Sequence, residues 1–199
     1  MAMTPNPPQR PSFAPRNWPG WMAVGLIWLL GQVPQRLGIA LSRPLGWLLM
    51  RLLKRRVKIV ERNIERCFPE LVPDKREALI RQNFHALARM VFEIAWSWSA
   101  SSRRIMRMGR VDGWERVERA QEAGDGVLLI TAHLTCLEIG GRLIGETWSG
   151  ASGMYRPLRS PVLEWYQNRS RQAYAAAPIR NRDTRGILRA LRRNEAIWY

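Results

Sequence analysis

The chain has 199 residues, and its 32 lysines and arginines outnumber its 16 aspartates and glutamates, giving a formal net charge of +16. This length allows one substantial core, and the basic charge favours anionic partners such as phospholipid headgroups, phosphorylated lipids or nucleic acid. The two cysteines, Cys67 and Cys136, lie far apart and form no cysteine–histidine cluster, which argues against a disulfide scaffold and against zinc. No metal and no other cofactor are expected.

The N-terminal part of the chain predicts a tail and a membrane anchor. Residues 1–16 are rich in proline and polar residues, which is typical of a disordered tail. Residues 17–35 carry no charge, and we expect them to form a transmembrane helix. Basic residues are sparse before this stretch and frequent after it, so the positive-inside rule predicts a single-pass protein of the cell inner membrane whose remainder faces the cytoplasm.

Residues 36–72 are predicted to form an interfacial basic segment. The apolar stretch from Leu37 to Leu53 contains Arg43 and Pro44, and is more typical of an interfacial element than of a second span. Basic residues accumulate around its end: Arg51, Lys54, Arg55, Arg56 and Lys58. They favour contact with phospholipid headgroups, although the same run is compatible with a solvated helix face.

Residues 73–199 show the pattern of an α/β domain. Asp74, with Glu77 three residues later, begins a helix whose apolar residues recur at helical spacing from Ile80 to Trp98. Most of these predict core packing, although Trp96 and Trp98 can instead border a lipid site. Further along we expect a buried strand over 127–131, a helix over 134–147, a strand over 153–155, a helix opened by Ser160 and Pro161, a helix over 184–193 and a strand from Ala196.

These elements predict a fold with a mixed or parallel sheet flanked by helices. The strands over 127–131 and 153–155 would form a βαβ unit, in which Gly140 and Gly141 allow close packing of the helix on the sheet. The chain stops within its last expected strand, so we expect a domain that is incomplete at its C-terminus.

His133 and Glu138 are the candidate catalytic residues. An apolar run of strand length ends at His133, and the carboxylate of Glu138 follows five residues later in the next helix. Open α/β sheets bind ligands at the carboxyl ends of their strands. A carboxylate there can orient an imidazole that takes a proton from a hydroxyl attacking an acyl carbonyl. The same spacing is also compatible with a helix-capping histidine and a solvated glutamate.

The chain resembles the bacterial lipid A biosynthesis acyltransferases of the lauroyl type at several motifs in the same order. These are H-x4-D/E at His133 and Glu138, Tyr-Arg-Pro at 155–157, the basic run at 54–70, Arg-Gly-Ile-Leu-Arg at 185–189, and Ile-Trp-Tyr at 197–199. The chain departs from the family's pattern at Leu158-Arg159-Ser160 and at Asn181, where the family has an arginine. The family continues after Trp-Tyr, which supports the expectation of a fragment of a longer enzyme.

The resemblance implies a membrane-bound enzyme that transfers a fatty acyl chain from acyl-carrier protein to a hydroxyl of a lipid A precursor. His133 would act as general base, Glu138 would orient it, and Tyr155, Arg156 and Arg182 would bind substrate. An ion pair with a nearby acid is the alternative role for Arg156. The implied partners are acyl-carrier protein, the lipid A precursor and inner-membrane phospholipid.

Two other functions fit parts of the sequence. A glycerolipid acyltransferase shares the H-x4-D pattern, but Tyr-Arg-Pro and the run at 54–70 favour lipid A. A non-enzymatic protein that binds anionic membranes or nucleic acid would explain the charge alone. The uncharged stretch over 17–35 and the setting of His133 argue against nucleic acid as a partner.

Overall fold

A computed structural model describes residues 9–148, 151–174 and 179–199. The chain divides into two compact units. One contains the residues up to Gln32 together with Ala95–Tyr199, and the other comprises Val33–Ile94.

The unit Val33–Ile94 is helical. It contains α2 (Gln35–Leu52), α3 (Lys54–Cys67) and α4 (Pro73–Ser99) as far as Ile94. Ile64, Ile80 and Phe84 form its buried core. Apolar residues at 57, 60 and 64 place one face of α3 against this core, while its basic residues at 54, 55, 56 and 58 are exposed. The predicted helix from Asp74 to Trp98 is confirmed, and its first residue is Pro73.

The other unit is α/β. A 3-10 helix (Pro15–Asn17) precedes α1 (Trp18–Gln32). The further helices are α5 (Ser102–Ile105), α6 (Glu115–Glu122), α7 (Leu137–Thr147), α8 (Pro161–Arg171) and α9 (Thr184–Leu191). The strands are β1 (Val127–Leu129), β2 (Ala151–Tyr155), β3 (Ile179–Arg180) and β4 (Ala196–Trp198).

The four described strands form one parallel sheet in the order β1-β4-β2-β3. This confirms an α/β fold with a small parallel sheet. Ala196 and Ile197 of β4 are fully buried, because β4 pairs with β1 on one side and with β2 on the other. The predicted βαβ strands are therefore parallel but not adjacent. The last strand lies inside the sheet, so no unpaired sheet edge runs along it.

Several helix and strand predictions are confirmed in detail. The Ser160 hydroxyl accepts a hydrogen bond from the Leu163 N–H at 3.4 Å and caps α8, with Pro161 in its first turn. A Cβ atom at Gly141 would lie 2.6 Å from the Trp198 ring, so this glycine permits close packing of α7 on β4. The prediction of a buried strand over 127–131 was partly wrong. β1 ends at Leu129, and Leu128 and Ile130 are exposed.

The predicted transmembrane helix over 17–35 is not supported by the structure. Among the described residues, no helix combines the length and apolar composition needed to cross a bilayer. The helix that forms there, α1, has 15 residues and ends at Gln32, two residues before Pro34. At about 1.5 Å of rise per residue it is shorter than a hydrocarbon core of about 30 Å. The predicted single-pass topology loses its support with it.

The predicted tail over residues 1–16 lies partly outside the described residues, which begin at Gln9. From there on the chain makes specific contacts. The Phe13 ring stacks on Trp21 with centroids 4.6 Å apart, and the Trp21 indole N–H donates to the Ser12 carbonyl at 3.4 Å. The Arg10 guanidinium lies 5.9 Å from the ring centroid of Trp165 in α8. Cation–π and stacking contacts thus join this segment to α1 and α8.

Candidate active site

A cavity of about 380 Å³ lies between the carboxyl half of the sheet and helices α7 and α8. His133 and Glu138 both line it. The rest of its lining is largely apolar and includes Leu137, Ile144, Met154 and Trp198. A cavity of this size and composition is typical of a small-molecule or acyl-chain site. No group of three or more histidine, cysteine or acidic residues that could hold a metal ion occurs in the described part of the chain.

His133 lies in the connection between β1 and α7. β1 ends at Leu129, and the backbone then runs without regular structure to a turn at Thr135 and Cys136. The predicted helix therefore begins at Leu137 and not at Leu134. His133 is exposed, and its ring makes no hydrogen bond within the described residues. The imidazole is thus accessible to a substrate that enters the cavity.

Glu138 lies in the first turn of α7, where the helix dipole favours a negative charge. Its Oε1 forms an ion pair with the Arg171 guanidinium, at the end of α8. Its Oε2 accepts a hydrogen bond from the Trp98 indole N–H at 2.9 Å. No described hydrogen bond joins Glu138 to His133, although both residues line the same cavity. The sequence prediction had assigned no role to Arg171.

The C-terminal end of α4 supports the helix that carries Glu138. The Ser97 hydroxyl donates to the Glu138 backbone carbonyl at 2.9 Å. Burial, and next the charge of Glu138, raise the pKa of Tyr174 to about 12. Tyr174 is therefore a neutral wall of the cavity. Trp96 is fully buried, and Trp98, the other tryptophan considered for a lipid site, donates its indole N–H to Glu138.

A buried arginine fixes α7 to the end of α4. Arg142 is 5% exposed and donates to the carbonyls of Ser97 and Ala100 and to Glu146. Its guanidinium also lies 4.7 Å from the Tyr174 ring centroid. These contacts satisfy helix-end carbonyls that would otherwise be buried without partners. They hold the backbone around Glu138 without using any cavity-facing group.

The predicted substrate-binding arginines lie in a second cleft, separate from the cavity that His133 and Glu138 line. Arg156 and Arg182 line a cleft of about 450 Å³ together with Pro157, Arg180 and Asn181. Tyr155 is the last residue of β2 and is half-buried. The structure thus brings Arg156 and Arg182 together, apart from the cavity of His133 and Glu138. The alternative role of Arg156 in an ion pair finds no partner among the described residues.

A family model described as bacterial lipid A biosynthesis acyltransferase matches residues 8–199. The chain therefore belongs to the bacterial lipid A biosynthesis acyltransferase family. The resemblance recognised in the sequence motifs is confirmed, and both His133 and Glu138 fall within the matched residues.

Individual relatives agree. The chain is 35% identical over 185 residues to the lipid A biosynthesis lauroyltransferase of Escherichia coli K12, and 34% identical over 185 residues to the palmitoleoyltransferase of that strain. It is 32% identical over 196 residues to a lipid A biosynthesis acyltransferase of Haemophilus influenzae. These alignments cover 93%, 93% and 97% of this chain, and 60%, 60% and 62% of the relatives. The chain thus spans about three fifths of the length of these relatives.

Proposed function

We propose that this protein is an acyltransferase that moves a fatty acyl chain from acyl-carrier protein to a hydroxyl of a lipid A precursor. The observation that carries the proposal is the shared cavity of His133 and Glu138. The accessible His133 imidazole and the Glu138 carboxylate line a largely apolar cavity at the carboxyl edge of a parallel sheet. Family membership supports the same reaction.

In this reaction the His133 imidazole takes the proton of the acceptor hydroxyl as its oxygen attacks the thioester carbonyl carbon. The tetrahedral intermediate then collapses, the carbon–sulfur bond breaks, and the imidazolium returns the proton to the leaving thiolate. The first turn of α7 begins four residues after His133, and its N-terminal N–H groups carry partial positive charge. Such a helix end suits stabilisation of the oxyanion.

Glu138 supplies the negative charge that stabilises the imidazolium. Arg171 engages one of its carboxylate oxygens and Trp98 the other. Each carboxylate oxygen accepts more than one hydrogen bond, so both retain capacity for the histidine when substrate is bound. Arg171 and Trp98 then fix the position of the carboxylate, as preorganised catalysis requires.

The cavity suits the acyl chain of the donor. Apolar side chains from three elements line it: Leu137 and Ile144 of α7, Met154 of β2 and Trp198 of β4. Removing an alkyl chain from water contributes about 0.8 kcal/mol for each buried CH₂. A chain bound there would place its carbonyl near His133, at the polar end of the cavity.

The net charge and the exposed apolar surface of the protein indicate which partners it binds. A net charge of +16 suits the acidic acyl-carrier protein and anionic phospholipid. Along α1, Met22, Leu26 and Leu29 are exposed at helical spacing. Such a face favours lying in the inner-membrane interface on its cytoplasmic side. Flotation with anionic vesicles tests this, because Leu26→Glu should weaken binding whereas Gly25→Glu, on the same helix, should weaken it less.

Transfer of a labelled acyl chain from acyl-carrier protein to a lipid A precursor tests the proposed reaction. The protein is expressed from its own reading frame, purified and compared with vesicles alone. We expect labelled precursor only with the protein. If the label instead appears in glycerol 3-phosphate or lysophospholipid, the protein is a glycerolipid acyltransferase.

A further inference from the structure

Three arginines converge on the cleft at the carboxyl ends of β2 and β3. Arg156 directly follows β2, Arg180 ends β3, and Arg182 lies two residues further along. The two strands pair in parallel with Tyr155 opposite Arg180, and the Asn181 N–H donates to the Tyr155 carbonyl at 3.0 Å. The backbone of Arg180 is therefore held in the sheet, Arg156 directly follows a strand, and Arg182 lies in the turn after β3.

No carboxylate lines this cleft, and none of its three arginines forms an ion pair with any described residue. The next acid along the chain, Asp183, is already engaged. Its Oδ1 accepts the Gly186 N–H at 2.8 Å in α9, and its Oδ2 lies 3.9 Å from Arg189. Three guanidinium groups in one cleft repel one another, and a bound anion relieves that repulsion.

We infer that this cleft binds a phosphate ester. A guanidinium presents a planar fork of N–H donors that matches two phosphate oxygens, and a phosphate ester group offers oxygens to more than one such fork. The cleft volume of about 450 Å³ leaves space for the group to which the phosphate is attached. Arg180 thus belongs to the site together with Arg156 and Arg182.

The position of the cleft relates it to the reacting groups. In the sheet order β1-β4-β2-β3, His133 follows β1 at one side and the arginines follow β2 and β3 at the other, all at the carboxyl edge. Two or three strand spacings of about 4.8 Å separate them, or roughly 10–15 Å. One substrate can span that distance. The assignment of the phosphate to a substrate rests on the proposed function. In that reaction the phosphate belongs either to the acceptor glycolipid or to the 4′-phosphopantetheine arm of the donor.

Calorimetric titration of the chain at fixed, low salt tests the inference without any acyl transfer. The probes are two matched pairs: glucosamine 1-phosphate with glucosamine, and 4′-phosphopantetheine with pantetheine. We expect the phosphorylated member of at least one pair to bind more tightly, and that pair identifies the source of the phosphate. Arg156→Gln, Arg180→Gln and Arg182→Gln should each weaken it about tenfold, since each removes charge-assisted hydrogen bonds.

Arg159→Gln is the matched control, because Arg159 is exposed and lies three residues from Arg156 but does not line the cleft. Lysine variants of the cleft arginines keep the charge and should bind with intermediate affinity. The inference is overturned if neither phosphorylated probe is preferred, or if Arg159→Gln weakens binding as much as the cleft variants. A chain that binds phosphate through the cleft but transfers no acyl group would overturn the proposed function alone.

Discussion

The carboxylate of Glu138, in the first turn of α7, is paired with the guanidinium of Arg171, the last residue of α8. Both side chains are largely buried, with 17% and 22% of their surfaces exposed. The pair links two helices that flank the cavity, and it holds the proposed catalytic carboxylate in place. Because both charges are poorly solvated, removing either side chain should leave the other charge without its partner and destabilise the fold.

We predict that Arg171→Met lowers the free energy of unfolding by about 1–3 kcal/mol, since it leaves the Glu138 carboxylate with only the Trp98 N–H. Glu138→Gln should cost less, because the amide oxygen still accepts from Arg171. Denaturant unfolding of both variants and of the double variant gives a coupling energy, which we expect to exceed about 0.5 kcal/mol. Additive effects would show that the pair does not interact in solution.

Glu138→Gln should nevertheless reduce acyl transfer strongly, because an amide cannot stabilise an imidazolium. Glu138→Asp keeps the charge and should be milder. The measurement is turnover of the labelled transfer reaction, with circular dichroism as a control for folding. If the glutamine variant turns over at the wild-type rate, Glu138 serves only the structure of α7.

Gly153 offers a way to narrow the proposed acyl cavity without disturbing the fold. It lines the cavity on β2, and a Cβ added there meets nothing within 4 Å. Gly153→Ala and Gly153→Val should progressively shift transfer toward shorter acyl chains. Competition between donors of different chain length reads out this preference.

The matched control for that series is Gly140→Ala, because Gly140 lies on α7 but does not line the cavity, and its added Cβ would lie 3.4 Å from the Trp198 ring. It should leave the chain-length preference unchanged. An unchanged chain-length preference in stable, folded Gly153→Val would place the acyl chain elsewhere.

Tyr174, which lines the cavity, should make the stability of the folded protein depend on pH in the alkaline range. Burial raises the pKa of Tyr174 from 10.0 to about 12 in the folded protein. Between these values the unfolded chain loses the phenolic proton while the folded chain keeps it, so stability falls as pH rises. Tyr174→Phe should lose less stability than wild type between about pH 9 and about pH 11. Denaturation at both pH values measures this, and equal losses in the two proteins would refute the raised pKa.

The sequence predicted β1, β2 and β4 and the helices α7, α8 and α9 from local signals, whereas α5 and α6 were not predicted. Ser160 and Pro161 mark the start of α8, and an apolar run marks β1. The pairing of the strands had no such signal. β4 lies between β1 and β2 because of long-range contacts that no local pattern encodes. The two-residue strand β3 was too short to give a periodicity.

Some residues of the candidate site were predicted from the sequence and others were not. His133 and Glu138 were found because they stand together at a strand end. Arg171 was missed because it lies 33 residues from Glu138 and is one of many arginines, so only the fold distinguishes it. The uncharged stretch over 17–35 predicted a span because composition alone does not show where a helix ends. Pro34 was the sequence signal for a shorter helix, and in the structure α1 ends at Gln32.

The most direct test of the account is the lipid A of a bacterial strain that lacks its own late acyltransferase. The strain expresses either the wild-type protein, from its own reading frame, or the His133→Ala variant, and mass spectrometry reports the acyl chains on extracted lipid A. His133 is exposed, so the variant should accumulate to the same level. We predict an added acyl chain with wild type and a loss of on the order of a hundredfold or more with His133→Ala. Equal acylation by the two proteins would contradict the proposed role of His133 as general base.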